Sequence, residues 1–367
     1  MENTSALHIR SIRLPYGVAA EDWWIVNGVL SREPVANATL LPGAFVMAGM
    51  VDAHTHLSMG FGRFDLPEAS DALITANLND KVAQGVLAVR DTGLLPGASL
   101  RAAATHPVRT TACGNLHAPA GRCYEGIYKA VEADELVAAG LREVAAGQRW
   151  VKVMADFPGP DFDYLSPIDN YPIAVIQALC EAVHAKGARV AAHVTGRLCD
   201  ALVAAGVDSI EHGNHLTEDG LRDMARRGAA WAPTLSTVVA ATDMMAAHGV
   251  PFIASWHAGL AKARELLPLA QRLGVTVLAG SDEQPAAFAR EVALLHEYGL
   301  SPEEALAAAS DSARAYLGFP SFEEGAPADI VLFDRDPRVD LNELAQPRAV
   351  VARGKVLLSR ERVDLAG

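Results

Sequence analysis

Six side chains that can take part in metal binding each close a short apolar segment that predicts a β-strand. They are His54 and His56 in VDAHTH, Lys152 in WVKVMAD, His193 in VAAHVTG, His212 in SIEHGNH and Asp282 in LAGSDE. The intervals between these segments are long enough for helices. In a (β/α)8 barrel, the carboxyl ends of successive strands converge on one face, where barrel enzymes carry their chemistry. The pattern therefore predicts an α/β protein with a TIM barrel, and the side-chain set suits a hydrolytic zinc-type centre on that face.

The length and the charge of the chain narrow its class. With 367 residues, the chain can form a barrel of ~250 residues and a second module. The formal net charge of −13 argues against a nucleic acid or an anionic membrane as a partner, because both bind basic surfaces. No apolar stretch reaches the ~20 residues that span a bilayer. Residues 1–30 lack the pattern of a secretory signal.

The number and spacing of the cysteines indicate a protein with reduced thiols. Cys113, Cys123, Cys180 and Cys199 form no CxxC pair and no dense framework, which is typical of reduced thiols. We therefore expect a cytoplasmic protein that acts on a small molecule. Whether it forms a homo-oligomer is left open by the sequence.

Alternating segments at both ends predict a second, smaller module. These segments have the period of two of half-buried strands and are LHIRSIRL (7–14), WWIVNGVL (23–30), ADIVLFD (328–334) and AVVARGKVLLS (349–359). Neither end alone supplies enough strands to bury a sheet face. We therefore expect residues 1–50 and 320–367 to form one β-sandwich and residues 51–319 to form the barrel.

Within the predicted barrel, strand-like and helix-like segments alternate, as in a parallel sheet. The eight strand segments are FVMAGMVDAHTH, GVLAVRD, VRTTACG, RWVKVMAD, ARVAAH, VDSIEH, AAWAPTL and GVTVLAGSD. Helices are predicted near 71–84, after Pro172 as far as Gly187, and over 254–273, 286–298 and 302–316. Ser301 and Pro302 mark the start of the last helix, since serine caps helices and proline suits their first turn.

The first and the fourth strand carry the groups with the clearest chemistry. His54 and His56 are two residues apart on a strand, so both point to the same side and can hold one ion. Lys152 lies in an apolar strand, where an unpaired ammonium costs several kcal/mol. It must find a partner or lose its proton, and a neutral lysine can take up CO2 as a carbamate. The alternative is an outward-facing lysine in a salt bridge.

The later strands supply the other candidate ligands. His193 and His212 end successive strands and are expected to point into the same site from one rim. Glu211 precedes His212, so the strand period turns it the other way, towards a structural partner. Asp282 can ligate a metal and accept a proton from bound water. Its alternative role is the N-cap of a following helix.

Several segments resemble the amidohydrolase superfamily, in particular its branch of metal-dependent Xaa-Pro dipeptidase (prolidase)-like and imidazolonepropionase-related proteins. They are LLPGAFVMAGMVDAHTHL, WVKVMAD, VAAHVTGRLCDALVAAGVDSIEHGNHL, APTLST and GAPADIVLFDRDP. The resemblance extends over nearly the whole chain. WVKVMAD continues into DFPGPD instead of the glycine-rich loop common in the dipeptidase-like members, so their substrate preference does not carry over directly.

The resemblance implies two divalent metal ions, with Zn²⁺ expected first and Mn²⁺ as an alternative. One ion would be held by His54, His56 and Asp282, the other by His193 and His212, and carboxylated Lys152 would bridge them. A bridging hydroxide would be the nucleophile. His117 stands where this branch often has a histidine that polarises the substrate carbonyl, although its neighbours differ from the usual Gly-Gly-His-Gly pattern.

We therefore expect a hydrolase that cleaves an amide, lactam, carbamate or ester bond of a small molecule, such as an N-acyl amino acid or a dipeptide. Arg122, Tyr124 and Arg197 are candidates for contacts with a substrate carboxylate, or else surface side chains. Two alternatives stay open. One is a deaminase of a cyclic amidine with a mononuclear site, against which Lys152 argues. The other is a non-catalytic relative that uses the barrel as a scaffold.

Overall fold

The computed structural model describes residues 6–60, 70–158, 167–247, 249, 253–282 and 287–360. The strands are β1 (Leu7–Arg13), β2 (Ala20–Val26), β3 (Val29–Ser31), β4 (Thr39–Leu40), β5 (Phe45–Ala48), β6 (Met50–Thr55), β7 (Val86–Asp91), β8 (Arg109–Ala112), β9 (Leu116–Ala118), β10 (Lys129–Ala130), β11 (Trp150–Met154), β12 (Asp156–Phe157), β13 (Ile168–Asp169), β14 (Arg189–Val194), β15 (Ser209–His212), β16 (Ala230–Ala232), β17 (Thr276–Val277), β18 (Ile330–Phe333), β19 (Ala349–Ala352) and β20 (Lys355–Ser359).

The helices lie mainly between the central strands, so the protein is α/β as predicted. They are α1 (Asp71–Ala83), α2 (Arg101–Thr105), α3 (Leu136–Ala145), α4 (Ile173–His184), α5 (Cys199–Ala204), α6 (Glu218–Arg227), α7 (Leu235–Ala247), α8 (Ile253–Leu273), α9 (Phe288–Glu297), α10 (Pro302–Ala308), α11 (Asp311–Leu317) and a 3-10 helix (Leu341–Ala345). Within the described residues, no helix combines the length and the apolar composition that crossing a bilayer requires.

Strands from both ends of the chain form one eight-stranded sheet. Its order is β20-β19-β18-β5-β1-β2-β3, with β4 beside β1. The two ends meet at β5, which is parallel to β1 and antiparallel to β18, with Val46 opposite Leu332. Alternate side chains face two cores. Val46 and Leu332 lie in a core within this module, whereas Met47 and Val331 pack into the large core of the central strands and helices.

Parallel strands form the central part of the molecule in two sheets. One has the order β6-β7-β8, and the other contains β9-β11-β14-β15-β16-β17 with β10 at its edge. Backbone hydrogen bonds connect the segment after β17 to β6. The amide of Ala53 donates to Ala279 O (2.9 Å), and that of Asp282 donates to His54 O (2.8 Å). Gly280 permits this approach, because a Cβ there would lie 2.6 Å from the Cβ of His54.

Two predicted elements are divided in the structure. The first predicted strand is interrupted at Gly49, so β5 belongs to the terminal sheet and β6 to the central one. The predicted helix over 302–316 is wrong as a single element, since Ser310 has non-helical φ and ψ of −144° and −98° between α10 and α11. The predicted helix start is confirmed, because Ser301 and Glu304 form a reciprocal capping box with Pro302 in the first turn.

Candidate metal centre

All six side chains that the sequence singles out line one cavity. It lies at the carboxyl ends of the parallel strands and has a volume of about 970 Å³, including the part that opens to solvent. The six are His54 at the end of β6 and His56 after it, Lys152 in β11, His193 in β14, His212 at the end of β15 and Asp282 beyond β17. The fold therefore brings together residues that are as far apart in sequence as 54 and 282.

Asp282 is at the centre of this group. Its Oδ1 lies 3.3 Å from Nε2 of His54 and 3.2 Å from Nε2 of His56. Ligand atoms of His54, His212 and Asp282 all lie within 4.8 Å of one another. The ring centroids of His193 and His212 are 4.5 Å apart. Four imidazoles and a carboxylate that converge in this way can hold a divalent cation.

Glu211 fixes the orientation of His54. Its Oε2 lies 2.6 Å from Nδ1 of His54, while its Oε1 accepts hydrogen bonds from Arg90 Nη2 (2.7 Å) and Ser209 Oγ (2.5 Å). Burial raises the pKa of Glu211, but the charges of Arg90 and His54 outweigh it and hold that pKa well below its usual range. The carboxylate therefore accepts Nδ1–H of His54, which leaves the lone pair of Nε2 free for a metal.

Backbone and hydroxyl acceptors orient two further imidazoles. Nδ1 of His56 lies 2.9 Å from Gly93 O, a carbonyl that can only accept. Nδ1 of His212 lies 2.6 Å from Thr234 Oγ1, and that hydroxyl donates its single hydrogen to Pro233 O at 2.8 Å. Thr234 must therefore accept Nδ1–H of His212. In both rings the lone pair of Nε2 is left for a ligand in the cavity.

Three of these positions have backbone conformations that are uncommon outside glycine. His212, Thr234 and Asp282 have φ of +67°, +47° and +51°. A positive φ costs a non-glycine residue of order 1–3 kcal/mol, and such strain concentrates at functional sites. The surrounding contacts hold His212 in place, since Trp231 Nε1 donates to its carbonyl at 2.8 Å.

Lys152 is a buried amine within the cavity. Its residue is 2% exposed, and no hydrogen bond or ion pair to its side chain occurs within the described part of the chain. Burial lowers the pKa of Lys152, and the charge of Glu211 opposes this effect only in part. The alternative of an outward-facing lysine in a salt bridge does not fit this position, because Lys152 lines the cavity.

The protonation states of His193, His212 and Asp282 also suit metal binding. Burial lowers the pKa of His193 well below its usual value and that of His212 to about 3. Burial raises the pKa of Asp282, but the neighbouring His54 and His56 outweigh it and lower that pKa well below its usual range. Neutral imidazoles and an ionised carboxylate are the forms that ligate metals.

Comparison with known proteins identifies the family. The profile of the Amidohydrolase family matches residues 45–357. This chain belongs to the amidohydrolase family. An uncharacterized protein of Mycobacterium tuberculosis is 33% identical over 367 residues, which cover 95% of each chain. Ochratoxinase from Aspergillus niger is 26% identical over 235 residues, which cover 59% of this amidohydrolase and 47% of that relative.

Solved structures share the fold of this amidohydrolase. The putative prolidase from Bifidobacterium longum has a TM-score of 0.78 and 24% identity, and the likeness covers 98% of this chain and 96% of that one. The structure of A. niger ochratoxinase has a TM-score of 0.80 and 18% identity and covers 97% and 96%. The chain thus has the TIM-barrel amidohydrolase fold, and the predicted resemblance to this superfamily and its prolidase-like members is confirmed.

The remaining walls of the amidohydrolase cavity are largely apolar. They include Met59, Leu116, Tyr124, Ile127, Met154, Phe157, Pro158, Val238 and Trp256, with Thr195 and Thr237 as neutral polar groups. Thr237 Oγ1 also lies 2.9 Å from Ser281 O and 3.2 Å from Asp282 O.

Asp282 is not the N-cap of the described helix α9, because Ala287 occupies that position.

The interpretation of His117 as a group that polarises the substrate carbonyl does not fit its position. Leu116 and His117 are adjacent on β9, and successive side chains of a strand point to opposite faces. Leu116 lines the cavity, whereas Nε2 of His117 lies 3.6 Å from Oε1 of Glu143 on α3. Burial lowers the pKa of His117 to about 4. The sequence HAPA does not show to which face of β9 the side chain of His117 points.

The three predicted substrate contacts have different positions. Tyr124 lines the cavity, but Arg122 and Arg197 are absent from its described lining. Arg122 donates hydrogen bonds to backbone carbonyls and to Asn170, and Arg197 is exposed. The geometry therefore gives Arg122 a structural role in place of the predicted substrate contact.

Sequence reasoning missed several groups that orient the ligands. The strand period predicts that Glu211 faces a structural partner, but one sequence does not identify Arg90 and His54 as its partners. Thr234 in APTLST follows a short strand, and this position was the available signal for a group beside the site. Gly93 acts through its carbonyl, for which no side-chain pattern exists.

Proposed function

We propose that the protein is a metal-dependent amidohydrolase that cleaves an amide, carbamate or related carbonyl bond of a small molecule. The observation that carries this proposal is the convergence of all six candidate ligands on one cavity, with three imidazoles presenting Nε2 to it. Family membership supports the hydrolytic chemistry. The proposal includes a closed (β/α)8 barrel and a β-sandwich from both termini.

The donor set fits two divalent ions, for which Zn²⁺ is the first choice and Mn²⁺ the second. We assign His54, His56 and Asp282 to one ion and His193 and His212 to the other. Lys152, carboxylated by CO2, would bridge them. The burial of the Lys152 amine in the same cavity as these five groups supports this assignment, since a carbamate converts a costly buried cation into an anionic ligand. When bound, such ions lower the pKa of water to ~7 and polarise a carbonyl.

The residues of the chain would prepare the site for this chemistry. Glu211, Gly93 and Thr234 hold Nδ1–H of their respective histidines, so the ligand nitrogens need no reorganisation when an ion binds. Asp282 is ionised and can accept a proton at a carboxylate oxygen and pass it to the leaving group. The apolar walls exclude water around the carbonyl, which strengthens the electrostatic interactions inside the cavity.

Metal content and the state of Lys152 test this proposal. The protein, purified with Zn²⁺ and bicarbonate, should contain about two ions per chain by elemental analysis. After exchange with ¹³C-bicarbonate, a carbamate carbon should appear in the ¹³C NMR spectrum and be absent from Lys152→Ala. Lys186→Ala, which changes an exposed lysine, is the matched control.

Activity is tested with a panel of dipeptides, N-acyl amino acids, lactams and aryl carbamates. Turnover that disappears in Lys152→Ala and persists in Lys186→Ala is expected. One ion per chain with no carbamate signal would contradict the binuclear site and favour a mononuclear one. A metal-loaded protein that hydrolyses no member of the panel would contradict the proposed substrate range.

A further inference from the structure

One side of the cavity is built from three short segments of the chain. The residues that line it there are Tyr124, Ile127, Met154, Phe157 and Pro158, which we call the apolar wall. Tyr124 and Phe157 form an edge-to-face pair with ring centroids 5.2 Å apart and an interplanar angle of 86°. Met154 and Phe157 are buried and share a core with Leu116. Met154 of this wall lies two residues beyond Lys152 on β11, so the wall adjoins the candidate metal centre.

Arg122 connects the segments that carry this wall. Its Nη2 donates to Phe157 O (3.0 Å) and Ile168 O (2.8 Å), and its Nη1 donates to Pro158 O (3.2 Å). Its Nε donates to Asn170 Oδ1 at 3.0 Å. One guanidinium thus holds β12, the residue that follows it and β13 against the loop that contains Tyr124.

Asn170 completes this connection. Its Nδ2 donates to Arg122 O and to Met154 O, both at 3.0 Å. The pair of Arg122 and Asn170 therefore satisfies several carbonyl groups along the wall, and those of Phe157, Pro158 and Ile168 would lose the guanidinium as a donor if it were removed. Since the planar donors of arginine fit several acceptors at once, lysine could not replace Arg122 here.

Another part of the cavity lining is also apolar. Val238 on α7 and Trp256 on α8 line it, and both are buried in a common cluster. Among the described lining residues, Lys152 is the one lysine or arginine, and it belongs to the candidate metal centre. An apolar group bound against these residues would be removed from water, which favours binding.

On the basis of the proposed hydrolytic function, we propose that the apolar wall binds an aromatic or other bulky apolar group of the substrate, and that Arg122 is the residue that positions this wall. The substrate class is thus a carbonyl compound with an aromatic substituent near the bond that is cleaved. Arg122 acts through the backbone of Phe157 and Pro158 and does not touch the substrate.

Binding of two ketones that have no hydrolysable bond tests this inference. 4-Phenylbutan-2-one and butan-2-one differ only in the phenyl group, and their Kd values are measured by ligand-observed NMR on the metal-loaded protein. The phenyl ketone should bind at least tenfold more tightly. Equal affinities would overturn the assignment of the apolar wall.

The role of Arg122 is tested with Arg122→Met, and Arg222→Met is the control because Arg222 pairs with Glu218 on the surface. Arg122→Met should weaken binding of the phenyl ketone about tenfold and leave butan-2-one and the metal content unchanged. For any aromatic substrate that is hydrolysed, KM should rise more than kcat falls. Unchanged preference for the phenyl ketone in a folded Arg122→Met protein would overturn the positioning role.

If Arg122→Met does not fold, as judged by circular dichroism, Tyr124→Ala tests the same wall and should lower the preference for the phenyl ketone at least threefold. An unchanged preference in that variant overturns the proposal. The two proposals fail separately, because ketone binding needs no turnover. Phenyl preference without hydrolysis of any panel compound contradicts the function alone, and hydrolysis without phenyl preference contradicts the apolar wall alone.

Discussion

Glu211 Oε2 lies 2.6 Å from Nδ1 of His54, a residue 157 positions earlier in the chain. The two side chains come from β15 and β6, and both are buried. The second oxygen of Glu211 accepts from Arg90, whose guanidinium lies 4.6 Å from the centre of the Trp150 ring. A charge pair in the centre of the parallel strands thus sets the tautomer of a candidate metal ligand.

Glu211→Gln should weaken metal binding. A glutamine must turn its NH2 group towards either His54 or Arg90, and both are donors, so one of them loses its acceptor. We expect the affinity for Zn²⁺ to fall about 10–100-fold, as measured by competition with a chromogenic chelator. Glu218→Gln, at an exposed pair with Arg222, should bind metal like the wild type. Equal affinity in both variants would contradict the orienting role of Glu211.

Thr234→Val removes the hydroxyl of Thr234 and keeps the shape of its side chain. Valine keeps the branched Cβ at φ +47°, so the backbone strain is unchanged, while the acceptor for Nδ1 of His212 and the donor to Pro233 O are lost. We expect about 10-fold weaker binding of the metal and a loss of about 1–3 kcal/mol in unfolding free energy. The control is Thr105→Val at an exposed threonine. A variant that binds metal as the wild type does would show that Thr234 does not orient His212.

The candidate ligands could be predicted because each has a strong local signal. A polar group at the end of an apolar strand has few structural roles. Because the strands are parallel, such groups lie at the same edge of the sheet. His117 shows the limit of this reasoning. It also lies in a strand, but whether a given residue of that strand faces the cavity or a helix depends on register, and a shift by one residue reverses it.

Arg122 shows why substrate contacts could not be predicted. An arginine after a strand is compatible with a substrate carboxylate or with backbone carbonyls, and the choice depends on the path of β12 and β13. Those strands have two residues each, too few for a periodic pattern. The division of the first strand at Gly49 has the same origin, since nothing local distinguishes one long strand from two that join different sheets.

Lys81→Met should strongly destabilise the protein. Lys81 Nζ lies 2.8 Å from Asp52 Oδ2, and both side chains are fully buried. Removal of one partner leaves a buried charge and costs about 3–5 kcal/mol. Lys262→Met, which breaks an exposed pair with Glu265, should cost less than about 1 kcal/mol. Urea unfolding of the two variants gives both values, and a similar small loss in each would contradict the role of the buried pair.

The buried carboxyl group of Glu291 makes the free energy of unfolding depend on pH. Burial raises its pKa to about 7, against 4.5 for an exposed glutamate. Between these values the folded state retains a proton that the unfolded state has lost, so the contribution of Glu291 becomes less favourable as pH rises from 4.5 to 7 and is constant above 7.

Glu291→Gln removes this titration, so the unfolding free energy of the variant relative to the wild type should increase with pH. The expected change is on the order of 3 kcal/mol between pH 4.5 and pH 7. Urea unfolding in the presence of a chelator measures it without interference from metal binding. The exposed variant Glu265→Gln should show no such trend. A relative stability of Glu291→Gln that falls as pH rises would show that the pKa of Glu291 is lowered in the folded state.

Asp282→Asn separates proton transfer from metal binding at the centre of the cavity. Asparagine keeps the size and one oxygen ligand near Nε2 of His54 and His56, but it cannot accept a proton as a carboxylate does. If Asp282 moves the proton to the leaving group, kcat per bound metal should fall about 10²–10⁴-fold while most of the metal is retained. The comparison is made at a fixed, measured metal content with one verified substrate. Wild-type activity per metal in this variant would limit Asp282 to ligation, and the proton would then have to be carried by another group in the cavity.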